Sequence, residues 1–403
     1  MPVSHTLKLH GGEDPVGRLT GGSVDLGTIA VDGFFALSGF LIVGSLLGSP
    51  STGRYRWRRA LRILPAFWVC LLVTAFVLLP IAQVLQYGTL AGFPLTGEAS
   101  ALSYVTDNAA LFVRQFEVSG LFGGEALDGS LYTLFYEFLC YLGIAALGAA
   151  GLLRRGAGPL LVVAAGLVWA FALWQFLDGG SLVGRSTTLE IALRFGITFV
   201  AGALAHRVAG VLPLGPVGGT LAALLLTWAV VLAVLVGEDP RGTLAYAVLA
   251  PPAVAYLVLL AGSSRRLRRV GSRRDLSYGL DVYAWPVQVL LLLAGAAAWP
   301  VLVHGAASLA VALLLAWASW TWVEAPALRF KSWTPAAARD RGARRPAGPT
   351  GSGTGPAPGR GQDPSVGGRY VRSTSWASSS ASRLPYSQAS SPPGCHAQAR
   401  APT

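Results

Sequence analysis

Ionisable side chains stranded in apolar runs are the first chemistry this sequence offers. Asp25, Asp32, Glu137, Glu190, Arg194, Asp281 and Glu324 fall within or at the edge of long hydrophobic stretches, and His5 and His10 stand just before the first of these. A charge in hydrocarbon is costly, so such residues either pair with one another or serve a site. Glu190 and Arg194 are four apart, which puts them on one helical face, and a neutralised same-helix pair is the plain expectation. Glu137 has no such local partner. It sits in SLYTLFYEFLCYL, among the phenols of Tyr132, Tyr136 and Tyr141, and a lone carboxylate in that setting is a candidate for proton transfer or for positioning. Asp281, in SYGLDVYAWPVQ near Pro286, reads as a pore-facing group or as the partner of an arginine.

The cluster RYRWRRALRILP (residues 54–65) carries a different chemistry. Its bland reading is a topology determinant in contact with lipid headgroups. Its functional reading is a site for an anionic cytosolic ligand, because arginine pairs bidentately with phosphate. GGEDP and LTGG near the start lack the strand–loop–helix context and the following Lys-Ser/Thr of a phosphate loop, so they read as turns. Cys70 and Cys140 lie in apolar runs and Cys395 near the end, which makes them small buried hydrophobes rather than a disulfide or metal framework. A histidine near a terminus is ordinarily an exposed surface residue.

These groups must be held by membrane helices. Mean hydropathy is +0.54, with 53% hydrophobic and 12% charged residues, about half the charge of a soluble domain. Nine apolar runs are long enough to cross a hydrocarbon core of about 30 Å: residues 24–48, 62–86, 130–153, 159–177, 189–210, 212–236, 243–262, 276–297 and 302–327. In lipid every backbone polar group must be satisfied within the element, so the runs are helices and the fold class is an all-α, polytopic integral membrane bundle. No basic n-region with a short apolar stretch and cleavage site precedes them, and the first span is expected to act as the targeting signal.

Loop charges orient the bundle. With the 49–61 loop in the cytoplasm, Lys and Arg on that side number 16 (five at 54–62, Arg154, Arg155, Arg207, six at 265–274, Arg329 and Lys331). The opposite side holds 5: Lys8, Arg18, Arg114, Arg185 and Arg241. The bias places the C-terminus in the cytoplasm and residues 1–23 and about 87–129 outside. From 331 onward the chain is rich in Gly, Pro, Ser and Arg and carries ten basic against two acidic residues. It reads as a disordered cytoplasmic tail, separate from an extracytoplasmic segment over 1–23 and a membrane domain over 24–330. That tail supplies +8 of the net +12, and the remaining basic residues follow topology, which argues for lipid contact and against nucleic acid. No internal repeat supports a transporter built from inverted halves. Arg outnumbers Lys 29 to 2, the mark of a GC-rich bacterial genome and so of an inner (plasma) membrane.

Four segments in order, VDGFFALSGFLI (31–42), RRALRILPAFW (58–68), SLYTLFYEFLCYL (130–142) and SYGLDVYAWPVQ (277–288), resemble the acyltransferase-3 family of membrane O-acyltransferases. VEAPAL (323–328) resembles the family's closing Glu-x-Pro element. The resemblance implies a helical bundle with about ten core spans, hence a first helix ahead of the nine read here. It also implies an acyl, commonly acetyl, group moved from cytosolic acyl-CoA to a hydroxyl of an extracytoplasmic polysaccharide or glycolipid. Acyl-CoA is then a cosubstrate; no bound cofactor or metal is expected. The implied catalytic base is His5, with His10 as the fallback, and Glu137 would orient the imidazole or hold the acceptor. Arg58, Arg59 and Arg62 would bind the CoA phosphates, and Phe34, Phe35, Ser38 and Tyr136 would line the path of the acyl group and acceptor. Tyr132 stands where the family often has tryptophan. A carrier for a sugar or lipid is the rival reading.

Overall fold

The computed structural model describes residues 6–7, 9–10, 12, 14–20, 24–121, 129–178, 187–236, 240–264 and 274–333, and these contain helices and no β-strand. His5 and the tail from 334 onward lie outside the described residues. Eight helices are long and apolar enough to cross a membrane. They are α2 (Leu26–Leu47), α3 (Thr52–Tyr87), α5 (Tyr132–Ala149), α6 (Gly158–Asp178), α7 (Thr187–Val208), α8 (Pro216–Val236), α9 (Pro240–Ser263) and α11 (Val301–Ser332). The other expected span is α10 (Ser277–Leu293), a 17-residue helix packed on α11. At about 1.5 Å per residue it is just long enough to span. The protein is therefore an all-α, multi-pass membrane protein.

Short elements tie the spans together at their ends. Asp14 caps α1 (Pro15–Leu19): its Oδ1 accepts from the N–H of Val16 and of Gly17, and its Oδ2 from the N–H of Leu26 at 3.0 Å, so one carboxylate fastens α1 to the start of α2. Asp25 is the N-cap of α2, which gives that acidic residue a structural task. Between α3 and α5, α4 (Ala101–Asn108) starts in a capping box of Ser100 and Ser103 and lies against α3.

Helix α3 begins ten residues before the apolar run that announces it. At 36 residues it is about 54 Å long, so its arginine-bearing first turns project beyond the hydrocarbon. The end of α11 projects beside them. Trp57 Nε1 donates to the Phe330 carbonyl at 2.9 Å, and Arg54 donates to the Ser332 carbonyl at 3.3 Å. Both long helices contain one π-helical turn, Thr74–Leu78 and Trp320–Glu324. Each turn ends two residues before a proline, Pro80 or Pro326. A proline lacks an N–H and crowds the carbonyl four residues back, and the widened turn absorbs that defect.

The tightest helix pair is α2 with α7. A Cβ on Gly39 would lie 1.9 Å from the Phe199 carbonyl oxygen, and one on Gly202 would lie 1.7 Å from that of Ala36. Only hydrogen fits at either point, so the two backbones touch. In lipid, where apolar burial does not itself drive helices together, such close packing holds them. Phe35 of α2 stacks on Phe195 of α7 at 4.2 Å beside this contact. The pair sits in the main hydrophobic core with Val31, Ile42, Tyr136 and Val200.

Candidate active site

Helix α2 carries polar side chains on two faces, and each meets a charge from a neighbouring helix. On the face towards α7 and α9, Asp32 is 1% exposed. It takes an ion pair from Arg194 (3.4 Å) and hydrogen bonds from Tyr246 (2.9 Å) and Thr198 (3.4 Å). Every partner comes from another helix, and Glu190 makes no ion pair with Arg194 among the described residues. The expected same-helix couple is thus replaced by an inter-helix one, because Asp32 offers a buried carboxylate where α2 and α7 are in contact.

Ser38 and Ser45, seven apart and so on one face, look the other way, towards α5 and α3. Ser38 Oγ donates to Glu137 Oε1 at 2.9 Å, and the Tyr141 hydroxyl donates to the same oxygen. Glu137 is 5% exposed and Tyr141 7%. Farther along, Arg59 donates to Ser45 Oγ at 2.8 Å and lies over the Tyr141 ring, 5.7 Å from its centroid. Glu137 is therefore joined through Tyr141 to Arg59 at the arginine-bearing end of α3, and Ser38 and Ser45 flank that link along α2 as a polar seam. From Ser38 to Ser45 this seam runs about 10 Å along α2. Of the three phenols near Glu137 in sequence, Tyr141 binds it, while Tyr132 and Tyr136 pack around Phe195 with centroids at 6.5 and 5.7 Å.

Arg58, Arg59 and Arg62 of the basic cluster have different settings. The Nε atoms of Arg58 and Arg59 are buried without a hydrogen-bond partner. Arg62 is ion-paired to Asp275, before α10, and to Glu324 of the π turn in α11 (3.4 Å), and Glu324 also accepts from Ser319 at 3.1 Å. Arg62 thereby clamps α3, α10 and α11 together at the end that also carries Arg58 and Arg59.

Residues 3–321 match the acyltransferase domain that defines the acyltransferase-3 family. The chain belongs to the acyltransferase-3 family. It is 28% identical over 320 residues to "Nodulation protein 10" of Rhizobium leguminosarum bv. viciae, covering 74% of this chain and 82% of that protein. It is 27% identical over 294 residues to an "O-acetyl transferase" of Shigella phage Sf6, covering 72% and 81%. No solved structure matches it. The protein is thus a membrane O-acyltransferase.

Within this acyltransferase, Ser38, Glu137, Phe35 and Tyr136 come together around α2, α5 and α7, while Phe34 is half-buried beside Phe35. Arg58 and Arg59 lie along α3 towards one end of the bundle. His5 falls outside the described residues, and His10 is hydrogen-bonded to His304 of α11 at 3.0 Å. Sequence reasoning passed over Ser45, Tyr246, Asp275 and His304. For His304 the signal was available, an ionisable residue in an apolar run; for the other three, only the helix packing gives the polar side chain a charged partner. Among the described residues no group of three or more His, Cys, Asp and Glu could hold a metal ion.

Proposed function

We propose that this O-acyltransferase moves an acetyl group from acetyl-CoA in the cytosol to a hydroxyl of an extracytoplasmic polysaccharide or glycolipid, in the inner membrane with its C-terminus in the cytoplasm. The observation that carries this reading is the seam linking Glu137 through Tyr141 to Arg59, with Ser38 bonded to the carboxylate and Ser45 to the guanidinium. It joins a basic end suited to the CoA phosphates with a buried carboxylate in the middle of the bundle. The distribution of loop charge, 16 against 5, supports a cytoplasmic basic end.

The hydroxyl oxygen of the acceptor attacks the thioester carbonyl carbon. A C–O bond forms, the C–S bond breaks, and the hydroxyl proton passes to the imidazole of His5 and then to the departing thiolate as free CoA. An alcohol is too weak an acid to ionise at neutral pH, so a positioned base is worth about 10²–10⁴-fold. Glu137 orients that imidazole or the acceptor; Phe34, Phe35 and Tyr136 give the acyl group an apolar wall; Arg58 and Arg59 hold phosphate.

The test is purified protein in lipid vesicles with radiolabelled acetyl-CoA outside the arginine-bearing face and envelope polysaccharide from cells lacking the gene. Label in the polysaccharide, released by mild base, is the expected result. Binding of either substrate with no transferred label would favour a carrier instead.

A further inference from the structure

His304 is fully buried in α11, one turn from its start, and His10 is half-buried. A polar ring in that position costs free energy unless its bonds are made. His304 Nε2 lies 3.1 Å from the carbonyl oxygen of Gln288 on α10, and Nδ1 lies 3.0 Å from His10 Nε2. A carbonyl only accepts, so Nε2 of His304 carries the hydrogen. In a neutral ring its Nδ1 is then an acceptor, and His10 Nε2 must be the donor. With both rings neutral, the chain of bonds fixes both tautomers and leaves the lone pair of His10 on Nδ1.

The segment bearing His10 is held in place independently. His10 N–H donates to the Thr6 carbonyl at 3.1 Å, and a Cβ on Gly305 would lie only 3.4 Å from Thr6 Oγ1, so this helical turn packs directly on the start of α11. The pair sits at the end of the bundle opposite the arginines of α3, the end at which the acceptor arrives under the function proposed above.

We propose that His10 and His304 form an acceptor-binding subsite: His10 Nδ1 accepts a hydrogen bond from a carbohydrate hydroxyl, and His304, held by the Gln288 carbonyl, is the positioning residue that presents it. The ligand is a hydroxyl donor because the available nitrogen is an acceptor. A carboxylate or phosphate would find a lone pair where it needs a proton. The subsite rests on the proposed acyl transfer to a carbohydrate and adds to it a residue pair that sets acceptor affinity.

The experiment uses the full chain in vesicles, with labelled acetyl-CoA as donor and envelope polysaccharide from cells lacking the gene titrated as acceptor. His304→Phe keeps the ring and removes both bonds; His304→Asn keeps an acceptor near the place of Nδ1. His304→Phe is expected to raise the acceptor KM about tenfold, the worth of one hydrogen bond, with kcat and the acetyl-CoA KM within about twofold, and His304→Asn is expected to recover most of the loss. An unchanged acceptor KM in His304→Phe, or acceptor and donor KM rising together, overturns the subsite while leaving the acyltransferase reading intact. If His304→Phe does not assemble, His304→Leu carries the same test with the same expected rise. No transfer by the wild-type chain would overturn the proposed function, and the subsite with it.

Discussion

Arg194 of α7 pairs with Asp32 of α2 across the helix interface, 3.4 Å away, with Tyr246 of α9 completing the carboxylate's bonds at 2.9 Å. Three helices thus share one buried charge, beside the backbone contact of Gly39 and Gly202. Removing either charge alone leaves the other stranded in a low-dielectric interior, at a cost of about 3–5 kcal/mol. Asp32→Asn and Arg194→Met should each sharply lower the temperature at which the purified protein loses helicity in detergent. The double variant should fall by clearly less than the sum of the two, since it strands neither charge. Strict additivity of the two losses would show that the pair is not coupled.

The contact of α2 with α7 makes a separate prediction. At Gly202 a methyl group would meet the Ala36 carbonyl oxygen at 1.7 Å, and backbone cannot rotate aside as a side chain can. Gly202→Ala should cost at least the roughly 1–3 kcal/mol of an overpacked core, with a loss of assembled protein on gel filtration. Gly166→Ala is the control, because a Cβ there meets nothing within 4 Å. Equal stability of the two variants would contradict the geometry.

The apolar spans were legible because lipid demands long, uninterrupted hydrophobic helices, and composition alone records them. What composition could not record was where a helix continues beyond the hydrocarbon. Thr52 opens α3 ten residues before the apolar run, since the arginine-rich turns lose nothing by being helical in the headgroup region. Nor could it record rotation. Glu190 and Arg194 have the spacing of a pair, yet the facing surface of α2 decides that Asp32 is the partner. Glu137 was legible as a carboxylate set among phenols, while its bond to Ser38, 99 positions away, was not. The same limit hid the meeting of His10 with His304, 294 positions apart.

Glu137 and Ser38 carry the prediction on catalysis. Two hydroxyls converge on one carboxylate oxygen, so the side chain is fixed in one rotamer beside the aromatic wall. Glu137→Ala should lower kcat by about 10²-fold or more, as loss of a positioned acid–base partner does, with the acetyl-CoA KM nearly unchanged. Ser38→Ala removes one hydrogen bond to that carboxyl group and should cost about tenfold. Measured transfer of labelled acetyl within twofold of wild type in Glu137→Ala would remove this carboxylate from the reaction.

The arginines of α3 should separate into two classes. Arg58 and Arg59 each keep a buried Nε without a partner, whereas Arg62 is spent on Asp275 and Glu324. If Arg58 and Arg59 bind the CoA phosphates, Arg58→Ala or Arg59→Ala should raise the acetyl-CoA KM about tenfold or more, the worth of a charge-assisted bond. Little change in thermal stability should accompany it. Arg62→Ala should do the reverse. It strands Glu324, which is 2% exposed, and unlocks α3 from α10 and α11, so stability falls first and activity follows it. Arg62→Ala combined with Glu324→Gln should regain part of that stability, because the uncompensated carboxylate is gone. Were all three arginine variants to shift the acetyl-CoA KM alike with stability untouched, Arg62 would belong to the donor site and not to the clamp.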